Sequence, residues 1–262
     1  TLANAGRRNR FAKLNLDDDP HSDDASLLEL LGNVGEYQAE IHAYQLHFGV
    51  KPCRYPAAEH WRLDGLAASA DEDEAARNLA PCDATRIDCM HLHAFSVDNA
   101  STRDIDDALS LEPASNGAAD AFTLGVHIAD VAAHISPESA LFQWSLKRGG
   151  SAYNMGDGET RGGSVPMLPP ELAHDVLSLN EGVARNAVSL FLDIRAGEVV
   201  GRRHARTRIV NRCATTYAAL GEGRTPELAA AKTLLRQLSG ASEPEELIAW
   251  AMIEYNAYFG AL

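Results

Sequence analysis

Cysteine is scarce in this sequence, and its few cysteines are poorly spaced for a metal site. Only four of the 262 residues are cysteine, namely Cys53, Cys82, Cys89 and Cys213. None belongs to a C-x-x-C pair, which argues against a zinc site built from cysteines. Because 45% of the residues are hydrophobic, a core can form without disulfides, and we expect reduced thiols in a cytoplasmic protein.

Long apolar runs are also missing. No stretch of the sequence is long enough to span a bilayer. The basic start, from Arg7 to Lys13, is not followed by the apolar core of a signal peptide. We therefore expect no membrane association. We also expect a monomer.

Positive charge is the third shortage. The 23 Lys and Arg residues face 37 Asp and Glu residues, which gives a formal net charge of −14, whereas phosphate binding normally needs a basic surface. The charges are unevenly placed, however. Acidic residues concentrate at 17–19, 23–24 and 71–74. A basic stripe is formed by Arg202, Arg203, Arg206, Arg208 and Arg212. This pattern permits RNA binding in a basic channel without demonstrating it.

Hydrophobic periodicity predicts an α+β fold in three parts. Residues 1–24 are predicted to form a polar arm. Residues 25–83 are predicted to form a small, mainly helical module, with a winged-helix fold as one alternative. Its predicted helices cover 26–49 and 61–79. Residues 84–262 are predicted to form a domain with a mixed or antiparallel sheet surrounded by helices. The strands are expected at 94–97, 108–111, 122–128, 188–194 and 199–210, and the helices at 139–148, 171–177, 217–220, 226–238 and 245–262.

A dense group of aspartates lies between the first two of these strands. Asp98 stands where one strand ends, and Asp104, Asp106 and Asp107 stand where the next begins. Carboxylates this close repel one another, so some would be protonated unless a cation were bound. Two divalent cations would balance the four charges, and hard oxygen ligands suit Mg²⁺ or Mn²⁺. Two metals about 4 Å apart can activate water and stabilise the leaving oxygen of a phosphodiester.

Two other interpretations of the aspartates compete with a catalytic metal site. The first is a solvated acidic loop, and the second is a calcium loop. The calcium loop is weakened because the order D-x-[DN]-x-[DN]-G with a later Glu is absent. The apolar strands on both sides favour a metal site, since they would hold the group at the edge of a sheet.

The sequence around the aspartates resembles a known family. Residues 97–109, VDNASTRDIDDAL, are similar to the signature of the ribonuclease II (RNB) family. Four further blocks follow in the family's order: LGVHIADV at 124–131, RGGSAY at 148–153, VPMLPPEL at 165–172 and LSLNEGVAR at 177–185. The similarity covers roughly residues 84 to 220, and five ordered blocks argue against chance.

The resemblance implies an RNB-type catalytic domain with a specific activity. Members of the family are processive 3′→5′ exoribonucleases that degrade single-stranded RNA to nucleoside 5′-monophosphates with Mg²⁺, for which Mn²⁺ can substitute. By this resemblance Asp98, Asp104, Asp106 and Asp107 match the catalytic and metal-binding aspartates. Asp107 matches the position most critical for turnover.

The same resemblance implies three RNA-binding residues. Tyr153 matches a tyrosine that contacts RNA near the 3′ end, and Tyr217 matches one beside the scissile nucleotide. Aromatic faces stack on unpaired bases whatever the sequence, although a surface-loop tyrosine at 153 and core packing at 217 are the alternatives. Arg148, beside Gly149 and Gly150, suits a phosphate contact. The alternative is a cation that the helix dipole favours at a C-terminus.

The sequence also departs from the family. A later family block that supplies an RNA-gripping arginine is not found, so the RNB domain is expected to be incomplete at its C-terminal end. In the final helix, Ala249 and Trp250 stand where an acidic pair is expected. The nuclease hypothesis therefore has two competitors: a noncatalytic RNA-binding or scaffold relative, and a metal-dependent enzyme acting on another phosphoester.

Overall fold

The computed structural model describes residues 9–16, 25–50, 55–57, 61, 85–113, 120–152 and 166–262. These residues belong to two compact units. The first unit lies within 1–58 and 140–168, and the second within 59–139 and 169–262. No helix in these described ranges is both long and apolar enough to cross a membrane.

The described residues of the first unit form a two-stranded antiparallel sheet and two helices. Strand β1 (Arg10–Leu16) pairs with β2 (Ala25–Asn33), and the helices are α1 (Tyr37–His47) and α2 (Ala140–Arg148). The helix predicted over 26–49 is therefore wrong in its first third and right from Tyr37 onward. The error has a physical cause: a short leucine-rich run fits either period, and pairing with β1 decides for the strand.

The structure differs from the predicted three-part division of the chain in two places, and one predicted helix is not tested. Residues 10–16 of the predicted polar arm form β1. The predicted helix over 61–79 lies outside the described residues apart from Trp61. Residues 140–168, which the sequence placed in the large domain, group with the first unit.

The second unit is built on a six-stranded mixed sheet. Its strands are β3 (Ile87–Asp88), β4 (Ala94–Asp98), β5 (Asp107–Pro113), β6 (Ala121–Ala129), β7 (Ala184–Arg195) and β8 (Glu198–Thr216). They lie in the order β3-β8-β4-β5-β6-β7, and β8 also pairs with β7. The long β8 is antiparallel to β7 along its first part and parallel to β4 along its last part. The sheet therefore curls until β8 closes it against β7. The mixed sheet and its helices confirm the predicted α+β class.

One face of this sheet is apolar and packs against three helices. Because side chains alternate along a strand, Leu109, Leu124, Val126, Leu190 and Leu192 all point to this face and are almost completely buried. The helices that supply the other half of this core are α3 (Tyr217–Glu222), α4 (Pro226–Ser239) and α5 (Pro244–Gly260).

Local sequence explains where these helices begin and end. The Thr216 and Thr225 side chains accept hydrogen bonds from the first turns of α3 and α4, as N-terminal capping residues do. Gly223 and Gly240 follow the two helices in the left-handed conformation, at φ of 63° and 71°, which glycine adopts without a steric penalty. The short helix predicted over 171–177 is a single π-helical turn, Leu172–Val176.

The opposite face of the sheet carries a hydrogen-bonded series that we call the buried polar chain: Ser110, His127, Ser189 and Thr207. The imidazole Nε2 lies 2.9 Å from the Ser110 hydroxyl, and Nδ1 lies 2.7 Å from the Ser189 hydroxyl. The Ser189 hydroxyl lies 2.6 Å from that of Thr207. All four residues are at most 1% exposed, and they connect β5, β6, β7 and β8.

Candidate active site

The four aspartates meet at one end of the curled sheet. Because β4 and β5 are antiparallel, the end of β4 at Asp98 and the start of β5 at Asp107 lie at the same end. Asp104 and Asp106 belong to the connection between these strands. The structure thus brings together all four residues that the sequence singled out, and we call them the aspartate cluster.

Hydrogen bonds to its main chain hold this connection in place. The Ile105 amide donates to the Ser178 hydroxyl at 2.8 Å, and the Leu179 amide donates to the Ile105 carbonyl at 2.8 Å. The Ala129 amide donates to the Asp106 carbonyl at 2.9 Å. The backbone that carries the aspartates is therefore anchored at Ile105 and Asp106, while residue Asp106 itself is exposed.

The electrostatics of the aspartate cluster show mutual repulsion. Burial, followed by the charges of Asp98 and Asp106, raises the pKa of Asp107 to about 7. Burial, followed by Asp106 and Asp104, raises the pKa of Asp98 to about 6. The pKa of Asp106 is raised by desolvation and then by Asp104. Like charges this close favour either a shared proton or a bound cation.

The chemistry of the donors fits a hard divalent cation. Carboxylate oxygens are the ligands that Mg²⁺ and Mn²⁺ prefer. Burial and then the neighbouring carboxylates raise the pKa values of Asp98 and Asp107, and a cation would offset both effects. Within the described residues, however, no set of three or more His, Cys, Asp or Glu side chains is arranged to hold a metal ion. The donor set is present, and its side chains are not drawn into one coordination shell.

Tyr217 lies at the same end of the sheet as the aspartate cluster. Thr216, the residue before it, pairs with Asp98 across β8 and β4. The pKa of Tyr217 is raised by burial and then by the charges of Asp107, Asp98 and Glu245. Its ring is half-buried and packs against the apolar core. The core packing of Tyr217 is thus observed, and its contact with RNA stays a prediction.

The structure does not bring the other two predicted RNA-binding residues to the aspartate cluster within the residues that it describes. Tyr153 lies outside the described residues. Arg148, the last residue of α2, belongs to the first unit, where its guanidinium carbon lies 5.3 Å from the centre of the Trp144 ring. Their roles stay predictions.

The basic stripe lies along β8, and several of its arginines contact other groups of the protein. Arg202 forms an ion pair with Glu254 at 2.8 Å. The Arg203 guanidinium carbon lies 4.4 Å from the centre of the Phe191 ring.

The sequence did not single out three residues that support this end of the sheet. Ser178 and Arg185 lie in the LSLNEGVAR block, where a polar side chain between leucines was a usable signal. Glu245, at the start of α5, affects Tyr217 electrostatically. Only the packing of α5 against the sheet could reveal that proximity, because Glu245 is distant from Tyr217 in the sequence.

Comparisons with known proteins point to one family. Residues 86–238, more than half of the chain, match the model of the RNB domain. Ribonuclease R of Chlamydia muridarum is 30% identical over 198 residues, which are 75% of this chain and 26% of that protein. A protein of Arabidopsis thaliana described as inactive exonuclease DIS3L2 is 31% identical over 194 residues, 74% of this chain and 17% of that protein.

A solved structure extends the similarity to the fold. Ribonuclease R of Mycoplasma genitalium, in complex with ribose-methylated single-stranded RNA, superposes with a TM-score of 0.62 at 21% identity. The match covers 81% of this chain and 32% of that one. The chain spans about a quarter of the length of ribonuclease R from Chlamydia muridarum. The aspartate cluster, the curled sheet that carries it and the matched residues 86–238 together place this chain in the RNB domain family.

Proposed function

We propose that this chain supplies the metal-binding part of a 3′→5′ exoribonuclease that degrades single-stranded RNA processively to nucleoside 5′-monophosphates. The observation that carries the proposal is the aspartate cluster, four carboxylates on a hydrogen-bonded connection at one end of an RNB-type sheet. Ribonuclease R, one of the similar proteins, supports the choice of RNA as substrate. The scarcity of cysteine supports a cytoplasmic location.

The proposal assigns the aspartate cluster to divalent metal binding. Asp98, Asp104, Asp106 and Asp107 would hold Mg²⁺, or Mn²⁺ in its place, because all four offer carboxylate oxygens. A bound cation would activate water and stabilise the leaving oxygen of the phosphodiester. The protein contributes the anchored backbone on either side of Ile105, which keeps the carboxylates at one end of the sheet.

The proposal assigns RNA binding to aromatic and cationic side chains. Tyr217 would contact the nucleotide at the aspartate cluster, since its hydroxyl is within electrostatic reach of Asp107 and Asp98. Tyr153 and Arg148 are assigned to the RNA by resemblance alone. A base stacked on a tyrosine contributes on the order of 1–3 kcal/mol.

A noncatalytic RNA-binding relative is the second candidate. One observation favours it: one similar protein is described as an inactive exonuclease. The nuclease is the better supported of the two, because the four aspartates would have no role in an inactive relative.

The test is degradation of a 5′-labelled single-stranded RNA with Mg²⁺ or with EDTA. The nuclease proposal predicts a ladder shortening from the 3′ end, lost in EDTA and in Asp107→Asn. Asp120→Asn is the matched control. Asp120 is exposed and precedes the start of β6, whereas the aspartate cluster lies near the end of β6, where Ile128 pairs with Asp107. DNA of the same sequence should be cut poorly if the 2′-hydroxyl is read.

The outcomes separate the candidates. Degradation that survives both EDTA and Asp107→Asn would show that the proposed mechanism is wrong. RNA binding without degradation in either buffer would favour the noncatalytic relative.

A further inference from the structure

A short segment that begins in the last residues of the π-helical turn is hydrogen-bonded to the centre of the aspartate connection. We call residues 175–182 the bracing segment. Its Ser178 hydroxyl accepts a hydrogen bond from the Ile105 amide, and its Leu179 amide donates to the Ile105 carbonyl, each at 2.8 Å. Both main-chain polar groups of Ile105 are therefore hydrogen-bonded to the bracing segment. Ile105 lies between Asp104 and Asp106, so these bonds fix the backbone between two members of the aspartate cluster.

A buried arginine fixes the shape of the bracing segment. Arg185 is 5% exposed, and its Nε donates to the Ser178 carbonyl at 2.9 Å. Its Nη2 donates to the Asp175 carbonyl at 3.0 Å and to the Asp175 carboxylate at 3.2 Å. One guanidinium thus holds two carbonyls three residues apart, which the planar fork of arginine permits and the single ammonium of lysine does not.

The bracing segment is also bonded to the strand that leads to Tyr217. The Asn211 side chain donates to the Leu179 carbonyl at 2.9 Å. The Glu181 carboxylate accepts from the Ala214 amide at 2.8 Å. Since Asn211 and Ala214 belong to β8, the segment joins the aspartate connection to the strand that ends immediately before Tyr217.

We propose that Arg185 and Ser178 are positioning residues that hold Asp104, Asp106 and Asp107 together against their mutual repulsion. This inference rests on the proposed function, because the aspartates need to be gathered only if they bind a cation. Like charges drive a connection to open, whereas hydrogen bonds to both sides of Ile105 oppose that opening. Residues that orient metal ligands typically change affinity or activity 10- to 100-fold when they are replaced.

The test compares Ser178→Ala and Arg185→Lys with a matched control, Ser189→Ala. Ser178 and Ser189 are both fully buried and hydrogen-bonded, but Ser189 belongs to the buried polar chain and does not contact the aspartate connection. Three quantities are measured on each protein: amide hydrogen exchange at Ile105 and Leu179, Mn²⁺ affinity by electron paramagnetic resonance without RNA, and kcat and KM on single-stranded RNA.

The proposal predicts faster exchange at Ile105 in both bracing variants and about tenfold weaker Mn²⁺ binding. It further predicts a lower kcat with a smaller change in KM. Ser189→Ala should lower the thermal midpoint by a similar amount and leave Mn²⁺ affinity unchanged. Ser178→Ala keeps the test decisive if Arg185→Lys fails to fold.

Each contrary result has a distinct meaning. Unchanged exchange at Ile105 in the bracing variants, or Mn²⁺ affinity that falls equally in Ser189→Ala, would overturn the positioning role. A wild-type protein that neither binds Mn²⁺ nor cuts RNA would overturn the proposed function instead. The exchange at Ile105 would still decide whether the bracing segment anchors the aspartates.

Discussion

The buried polar chain and the aspartate cluster lie on the same curled sheet, and they treat polar groups in opposite ways. In the chain, both nitrogens of His127 have hydroxyl partners, and burial lowers its pKa to about 4, so the ring is neutral. In the cluster, burial and like charge raise the pKa of Asp107 to about 7. Groups that satisfy one another stabilise a fold, whereas groups that oppose one another indicate a site that a ligand completes.

The largest expected effect is at the centre of the buried polar chain. His127→Ala removes two hydrogen bonds, leaves the hydroxyls of Ser110 and Ser189 without this partner, and opens a cavity. We expect the free energy of unfolding to fall by about 4 kcal/mol, measured by urea denaturation. His91→Ala is the control, because His91 is exposed. A loss below about 1 kcal/mol would show that the chain does not stabilise the fold.

The two regions should respond to pH with opposite signs. The pKa of His127 is lowered from 6.5 to about 4, so its contribution is complete above pH 6.5 and is lost as the pH falls towards 4, by up to about 3 kcal/mol. The pKa values of Asp98 and Asp107 are raised from 3.8 to about 6 and about 7. Their contribution to stability is present below the unfolded value and is lost as the pH rises through the folded values.

These opposite slopes should partly cancel in the wild-type protein between about pH 6.5 and pH 4. Asp107→Asn removes one of the offsetting groups, so its stability should fall more steeply on acidification than that of wild type. Unfolding free energies measured in EDTA across this range test the point. Identical slopes in the two proteins would show that Asp107 has an ordinary pKa in the folded state.

At pH values above neutral, the same substitution should stabilise the protein. With Asp107 ionised, Asp107→Asn removes a half-buried charge that faces Asp98 and Asp106, and we expect a gain of about 2 kcal/mol in EDTA. In Mg²⁺ the wild-type protein should be the more stable of the two, since only wild type then gains from tight binding. Thermal unfolding with and without Mg²⁺ checks both, and Asp120→Asn should show neither effect. Destabilisation in EDTA would mean that the cluster is satisfied without a cation.

The sequence predicted β4 to β8 of the large sheet and both described helices of the first unit, but it missed the strands β1, β2 and β3. Alternating apolar residues placed β4 to β7 within four residues of their observed bounds and β8 within one residue of its start, because one face of these strands is buried and the pattern has a clear period. The last six residues of β8 were not predicted. At 26–33 leucines occur on both faces, so periodicity could not distinguish a helix from the strand β2. Hydrogen bonds to β1, which lies in a stretch dominated by polar neighbours, decide the outcome.

The candidate site divides in the same way. Asp98, Asp104, Asp106 and Asp107 were found because they are close together in the sequence, and the sheet only had to keep them so. The polar residues of the LSLNEGVAR block were visible in the sequence, but the contact of Ser178 with Ile105 could not be predicted, since it joins residues 73 positions apart. Such contacts follow from the path of the chain and leave no local spacing to detect.

The smallest expected effect concerns the glycine that makes room for the buried polar chain. Gly125 pairs with Ser110 across β6 and β5, and a Cβ there would lie 2.5 Å from the Ser110 hydroxyl and 2.7 Å from His127 Nε2. Gly125→Ala should therefore lower the free energy of unfolding by about 1–2 kcal/mol. Gly150→Ala is the control, because no atom lies within 4 Å of its added Cβ.

A second substitution locates the cause of that loss. If the new methyl group disturbs the contact between His127 and Ser110, then Ser110→Gly should cost much less in a Gly125→Ala background than in wild type, because the contact is already weakened and the clash is relieved. Additive losses in the double variant would instead place the strain in the β6 backbone. The buried polar chain would then tolerate crowding, and its hydroxyls would be less tightly specified than their 2.6–2.9 Å spacings indicate.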